Sequence, residues 1–151
     1  MRERRINFGE LIPLLEEKLA GGGEVHFSPN GTSMLPTLKA GRDTLIFVSP
    51  PPKLRKYDIA LYKRENGQYV LHRVVCVGKN YTFIGDNQLQ YEHNVEHGQI
   101  IALCTACLRD GKRVELNSFR SRAFARLWHH TRFLRRAKRA VALKLKAILK
   151  R

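Results

Sequence analysis

Ser33 stands in Asn30-Gly31-Thr32-Ser33-Met34-Leu35-Pro36, a turn-like segment with glycine before the serine and proline after it. A serine hydroxyl is a weak nucleophile unless a neighbouring base takes its proton. Ahead of the C-terminal tail the chain offers four histidines for that role: His26, His72, His93 and His97. His72 belongs with Arg73 to a polar pair inside the otherwise apolar run Tyr69-Val70-Leu71-His72-Arg73-Val74-Val75. Two readings are open at this level. His72 is a base for Ser33, or it is a strand histidine satisfied by its neighbours or by solvent.

The thiols suggest less. Cys104 and Cys107 form a lone CxxC, to which His93 and His97 are the nearest conceivable zinc ligands. They fall in the apolar run 100–108, which reads as a strand. Residues three apart on a regular strand face opposite sides, so chelation is not expected, and neither metal nor cofactor is. Cys76 reads as a core residue of its strand. Reduced thiols and a cytoplasmic setting fit this usage.

The net charge of +15 is concentrated at one end. Residues 118–151 hold twelve Lys or Arg and no Asp or Glu, leaving 16 basic against 13 acidic residues in the remainder. A near-neutral body therefore carries a polycationic tail, which favours anionic surfaces. Phe124, Leu127, Trp128, Leu134, Val141, Leu145 and Ile148 recur in it at mostly helical intervals. The expectation is a long basic amphipathic helix with a break near His129-His130-Thr131. Three uses are open for it: the anionic inner face of a membrane, with Phe124, Trp128 and Phe133 near the headgroups; packing on the body; or, less favoured, nucleic acid. The charged start 1–7 has no cleavable apolar core after it, and no apolar run reaches eighteen residues.

The elements that must position Ser33 and His72 follow from periodicity. Phe8, Leu11, Ile12, Leu15 and Leu19 predict an amphipathic helix over 7–20, capped by Asn7 and stopped by Gly21-Gly22-Gly23. Pro13 predicts a kink, or a start near Ile12. Strands are expected over 24–28, 44–48, 57–62, 69–77, 81–84, 100–108 and 113–116, with hairpin turns at Glu65-Asn66-Gly67 and Asp110-Gly111. The organisation is an N-terminal helix over 1–23, a mainly β body over 24–117 and the helical tail over 118–151.

Four segments, in order, resemble the boxes of the signal peptidase I superfamily, which includes the LexA-type self-cleaving repressors. Gly31-Thr32-Ser33-Met34-Leu35-Pro36-Thr37-Leu38 followed by Gly41-Arg42-Asp43 is similar to the nucleophile box. Arg55-Lys56-Tyr57-Asp58-Ile59-Ala60 resembles the second box, with Tyr57 where the family has glycine. Leu71-His72-Arg73-Val74-Val75 resembles the general-base strand, and Gly85-Asp86-Asn87 the G-D-N box. The resemblance implies a signal-peptidase/LexA-like β-ribbon fold and a serine endopeptidase acting on extended peptide. Histidine in place of the bacterial lysine implies the Ser/His branch of archaeal and endoplasmic-reticulum signal peptidases. Ser33 is then the nucleophile and His72 its base. Asp86 is the favoured acid and Glu92 the alternative, since the branch places its acid several residues past the G-D-N box. Gly31, Thr32, Met34 and Pro36 flank the nucleophile as expected substrate-binding positions. Gly31 stands where many relatives have a serine that donates to the oxyanion. The competing expectation is a weak or inactive LexA-like regulatory module. A self-cleaving version would cut near Ala20-Gly21, and His72 in place of lysine argues against that cut.

Overall fold

The computed structural model describes residues 8–149. The expected Asn7 cap lies outside them. Helix α1 (Phe8–Ala20) runs through Pro13 rather than starting near Ile12. The proline gives up one backbone hydrogen bond, and tertiary packing offsets the loss. Ile12, Leu15 and Leu19, spaced three and four apart, are buried in the core while Leu14 is exposed.

The body is mainly β. Strands β1 (Val25–Phe27), β2 (Asp43–Val48), β3 (Ile59–Lys63), β4 (Tyr69–Val77), β5 (Tyr81–Ile84), β6 (Glu92–Val95), β7 (Ile100–Arg109) and β8 (Lys112–Glu115) form one antiparallel sheet. Its order is β1-β2-β7-β3-β4-β5-β6, with β8 paired to β7. The β3–β4 hairpin turns over Arg64–Gln68, where Gly67 takes φ +86°. β6 was not expected from the sequence. Its run Glu-His-Asn-Val carries one apolar residue and no alternation to read.

Two cores lie on the sheet. α1, Met34 and Leu38 cover Leu45, Phe47, Ile59 and Leu61. The second core gathers Leu54, Ala60, Tyr62, Val74, Tyr81 and Phe83. β4 divides its side chains between them. Leu71 packs with the Met34 core, and Val70 and Val74 with the Tyr62 core.

Register shifts overturn two expectations about the cysteines. β7 pairs Cys107 with Leu45 and Ala106 with Ile46, then Cys104 with Phe47, so Thr105 is the extra residue of a bulge. That residue brings Cys104 and Cys107 into the same core instead of opposite faces. Among the described residues no group of three His, Cys, Asp or Glu is arranged to hold a metal ion. A second shift, between Val74 and Cys76, leaves Cys76 exposed rather than in the core.

The tail forms two helices, α2 (Phe119–His130) and α3 (Arg132–Leu149), divided at Thr131. Ser118 caps α2 by accepting from the Ser121 N–H. α2 is anchored to the body. Ala125 is buried, Arg122 donates to Asp58 Oδ1 at 3.0 Å, and the Trp128 indole N–H donates to the Asp86 carbonyl at 2.8 Å. Packing on the body therefore describes α2. Most of α3 is exposed, and no described helix is long and apolar enough to cross a membrane.

Candidate active site

The Ser33 segment is a run of turns over 33–37, entered through Gly31 at φ +87°. A side chain is strained at that angle, which accounts for glycine where an oxyanion donor serine is otherwise expected. The segment has little regular structure of its own and is held from outside. The Asn87 N–H donates to the Ser33 carbonyl at 2.8 Å, and the Asn87 side chain to the Thr32 carbonyl at 3.2 Å. Thr37 donates its hydroxyl proton to Asp86, and Arg109 donates to the Thr37 carbonyl at 2.9 Å. The segments 32–37 and 85–87 are thus bolted together.

Asp43, Tyr57 and Asp58 serve the same frame. Asp43 is buried among Arg42, Arg109 and the Lys39 N–H. Burial pushes its carboxyl up, but those hydrogen bonds outweigh it and hold the group at about 2. Tyr57 adopts φ +76°, the region that favours the glycine of the resembled box. Its carbonyl accepts from Arg73 Nη1 at 3.0 Å. Asp58 accepts from the Arg55 N–H at 2.7 Å as well as from Arg122.

Asp86 is not the partner of His72, which corrects the favoured assignment. Its oxygens accept from Arg73 Nε at 2.8 Å and Nη2 at 2.7 Å, and both side chains are 3% exposed. With Thr37 also donating, the carboxylate is committed to the frame. The alternative acid, Glu92, lies on His72, with Oε1 3.2 Å from Nδ1. Arg64 donates to both oxygens of Glu92 and fixes its position. The Tyr62 hydroxyl is 3.3 Å from the same Nδ1.

His72 is 2% exposed, and burial pushes its imidazole below the ordinary histidine value. The Glu92 charge pulls the other way and Arg64 adds to the lowering. The ring is therefore neutral near pH 7, as a general base must be. Burial also pushes the Tyr62 phenol up, so it keeps its proton. For Glu92, burial is outweighed by hydrogen bonds from Arg64 and Tyr62, and its carboxyl stays below the usual range. An ionised carboxylate at Nδ1 places the ring proton on Nδ1 and leaves Nε2 as the acceptor.

Gly85 packs on Ser33 and follows the β5 residue that pairs with Arg73, the neighbour of His72. Ile84 pairs with Arg73, so the chain leaves β5 with Gly85 alongside His72. A Cβ on Gly85 would lie 2.7 Å from the Ser33 carbonyl oxygen. Ser33 Oγ and the Ser33 N–H have no hydrogen-bond partner among the described residues, so no bond joins Ser33 to His72 in this state. Gly85→Ala is expected to displace the Ser33 backbone, cost about 1–3 kcal/mol and lower reactivity at Ser33. Urea unfolding and the acylation rate of Ser33 measure the two effects.

The expected substrate-binding positions separate. Gly31, Ser33 and Met34 line a cavity of about 170 Å³ with Leu38, Leu45 and Leu71. Pro36 lines a different cavity of about 430 Å³ beside Arg73, Arg109 and Phe124. Thr32 borders neither cavity, and its carbonyl is taken by Leu35 and Asn87. A cleft of about 740 Å³ opens beside Glu92, between Arg64, Gln88 and Arg139. Tyr62 and Arg64 belong to the site without having been expected there. The sequence signal for them was absent, because both depend on where β6 brings Glu92.

Compared with models of known protein families, with curated proteins and with solved structures, the chain matches none.

Proposed function

We propose that the chain is a serine endopeptidase of signal-peptidase-like type and β-ribbon fold, cleaving extended peptide with Ser33 as nucleophile and His72 as base. The observation that carries this reading is the buried His72–Glu92 pair, next in register to the Gly85 that packs on Ser33. A buried neutral histidine with an oriented carboxylate is what activation of a serine requires. Ser33 Oγ attacks the peptide carbonyl while His72 Nε2 takes its proton. The unpartnered Ser33 N–H is a donor for the oxyanion. The imidazolium, steadied by Glu92, returns the proton to the leaving amine. Water then attacks the acyl ester by the same route, releasing the second product and restoring Ser33. The cavity of about 170 Å³ beside Ser33 fits a small side chain at the cleaved bond.

The unbonded Ser33 Oγ favours the second reading, a LexA-like binding module without chemistry. Catalytic hydrogen bonds of unliganded enzymes are often long and close only around substrate, so this contact weighs less than the His72–Glu92 pair. An acylating probe separates the two. Peptidase chemistry predicts stoichiometric labelling of Ser33, located by mass spectrometry, absent in Ser33→Ala and slowed at least about a hundredfold in His72→Ala. A folded wild-type protein that takes no label, or labels equally well without His72, would establish the binding module instead.

A further inference from the structure

α3 presents two unlike faces. Arg132, Arg135 and Arg139 turn toward the body. Arg132 donates to the Gly85 carbonyl at 3.3 Å, Arg135 covers the Trp128 ring at 3.7 Å, and Arg139 donates to Asn87 Oδ1 at 2.6 Å. At 100° per residue these three lie about 100–160° around the helix from Leu134. The other side carries Leu134, Val141, Leu145 and Ile148, spaced seven, four and three apart and between 50% and 68% exposed. Lys138 and Lys144 flank this stripe and are exposed, and α3 contains no acidic residue. Trp128, an expected headgroup contact, is instead spent on Asp86 and Arg135. Phe133, 67% exposed, remains available.

From this geometry we infer that α3 binds the surface of an anionic phospholipid bilayer, with Leu134, Val141, Leu145 and Ile148 among the acyl chains and Lys138 and Lys144 at the phosphates. The chemistry selects that occupant. Nucleic acid offers phosphates but no apolar phase for four large side chains. A second copy of α3 offers an apolar face, but sets seven cations against seven cations. An interfacial helix needs the combination seen here: a continuous apolar stripe with basic flanks. The opposite flank carries Arg139 into the cleft beside Glu92. Lipid binding therefore places that cleft on the body side of a helix lying at the surface.

Co-sedimentation of the full chain with vesicles tests this independently of any catalysis. Binding is expected to mixed phosphatidylserine and phosphatidylcholine vesicles, not to phosphatidylcholine alone, and to weaken as salt rises. Lys138→Gln and Lys144→Gln should each lower the partition coefficient about fivefold. Val141→Glu/Leu145→Glu, at exposed positions that leave folding intact, should abolish binding, and Ser33→Ala should not change it. Absence of vesicle binding overturns the proposal. So does undiminished binding by Val141→Glu/Leu145→Glu, since charge alone would then be at work. Duplex DNA that strips the protein from vesicles reassigns the helix to nucleic acid. A dimer in sedimentation equilibrium that Val141→Glu dissociates reassigns it to self-association.

Discussion

Glu92→Gln is expected to slow acylation of Ser33 by roughly 10³- to 10⁴-fold while leaving the melting temperature nearly unchanged. The substitution keeps size and shape, so His72 stays buried between Tyr62 and the new amide. What changes is the proton. A carboxylate 3.2 Å from Nδ1 accepts only, and fixes the imidazole with hydrogen on Nδ1. An amide can turn its NH₂ to Nδ1, which places the ring proton on Nε2. That tautomer has nothing with which to take the Ser33 proton. Stability changes little, because Glu92 also pairs with a partly exposed Arg64, and such pairs contribute about 0–1 kcal/mol. If Glu92→Gln reacted at the wild-type rate and folded Asp86→Asn did not, the relay through Glu92 would be wrong.

The pH dependence of the same rate has a defined sign. Burial lowers His72 below its ordinary 6.5, so the wild-type rate is expected to hold through neutrality and to fall only at more acidic pH. Glu92 raises His72 against that burial, so its loss moves the acid limb of Glu92→Gln lower still. Stability follows the same linkage. A histidine whose folded value is depressed contributes stability present above the unfolded value and lost as pH falls through the folded one.

Strand bounds are legible where an apolar run lies between turn residues. The runs 69–77 and 81–84 are β4 and β5 at their observed bounds. Alternation breaks where a bulge adds a residue, and nothing at Thr105 or Val75 announces one. The faces of Cys104, Cys107 and Cys76 were misjudged for that reason. The favoured contact of His72 with Asp86, rather than with the alternative Glu92, fails for a related reason. Aspartate after a glycine bend looked well placed for His72, but Arg73, its neighbour in the strand, takes that carboxylate. Glu92 reaches His72 only because β6 pairs with β5, setting Glu92 opposite Phe83. A four-residue strand without a pattern leaves no trace to read. Tyr57 is a further case: it takes a positive φ, where glycine is favoured, and a tyrosine there gives no sign of it.

Arg73→Met should cost about 3–5 kcal/mol, the largest stability loss of any single change considered. The reason is the charge left behind. Asp86 is 3% exposed, and without Arg73 it keeps one side-chain donor, Thr37, for a buried carboxylate. The Tyr57 carbonyl loses its donor as well. Against a total of about 5–15 kcal/mol for a domain of this kind, the variant sits near the margin of folding. Asp86→Leu should fail similarly, by stranding the guanidinium. The double variant Arg73→Met/Asp86→Leu should recover most of the loss, because neither charge then needs desolvating. Reactivity at Ser33 should not recover with it. Thr37 would have no carboxylate to bind, and the clamp between the Ser33 turn and residues 85–87 would rest on Asn87 alone. Urea unfolding of the three variants, set beside their acylation rates, separates the two roles. A double variant as unstable as either single would move the cause from the ion pair to the packing around it. A double variant restored in both stability and rate would show that the clamp does not position the nucleophile.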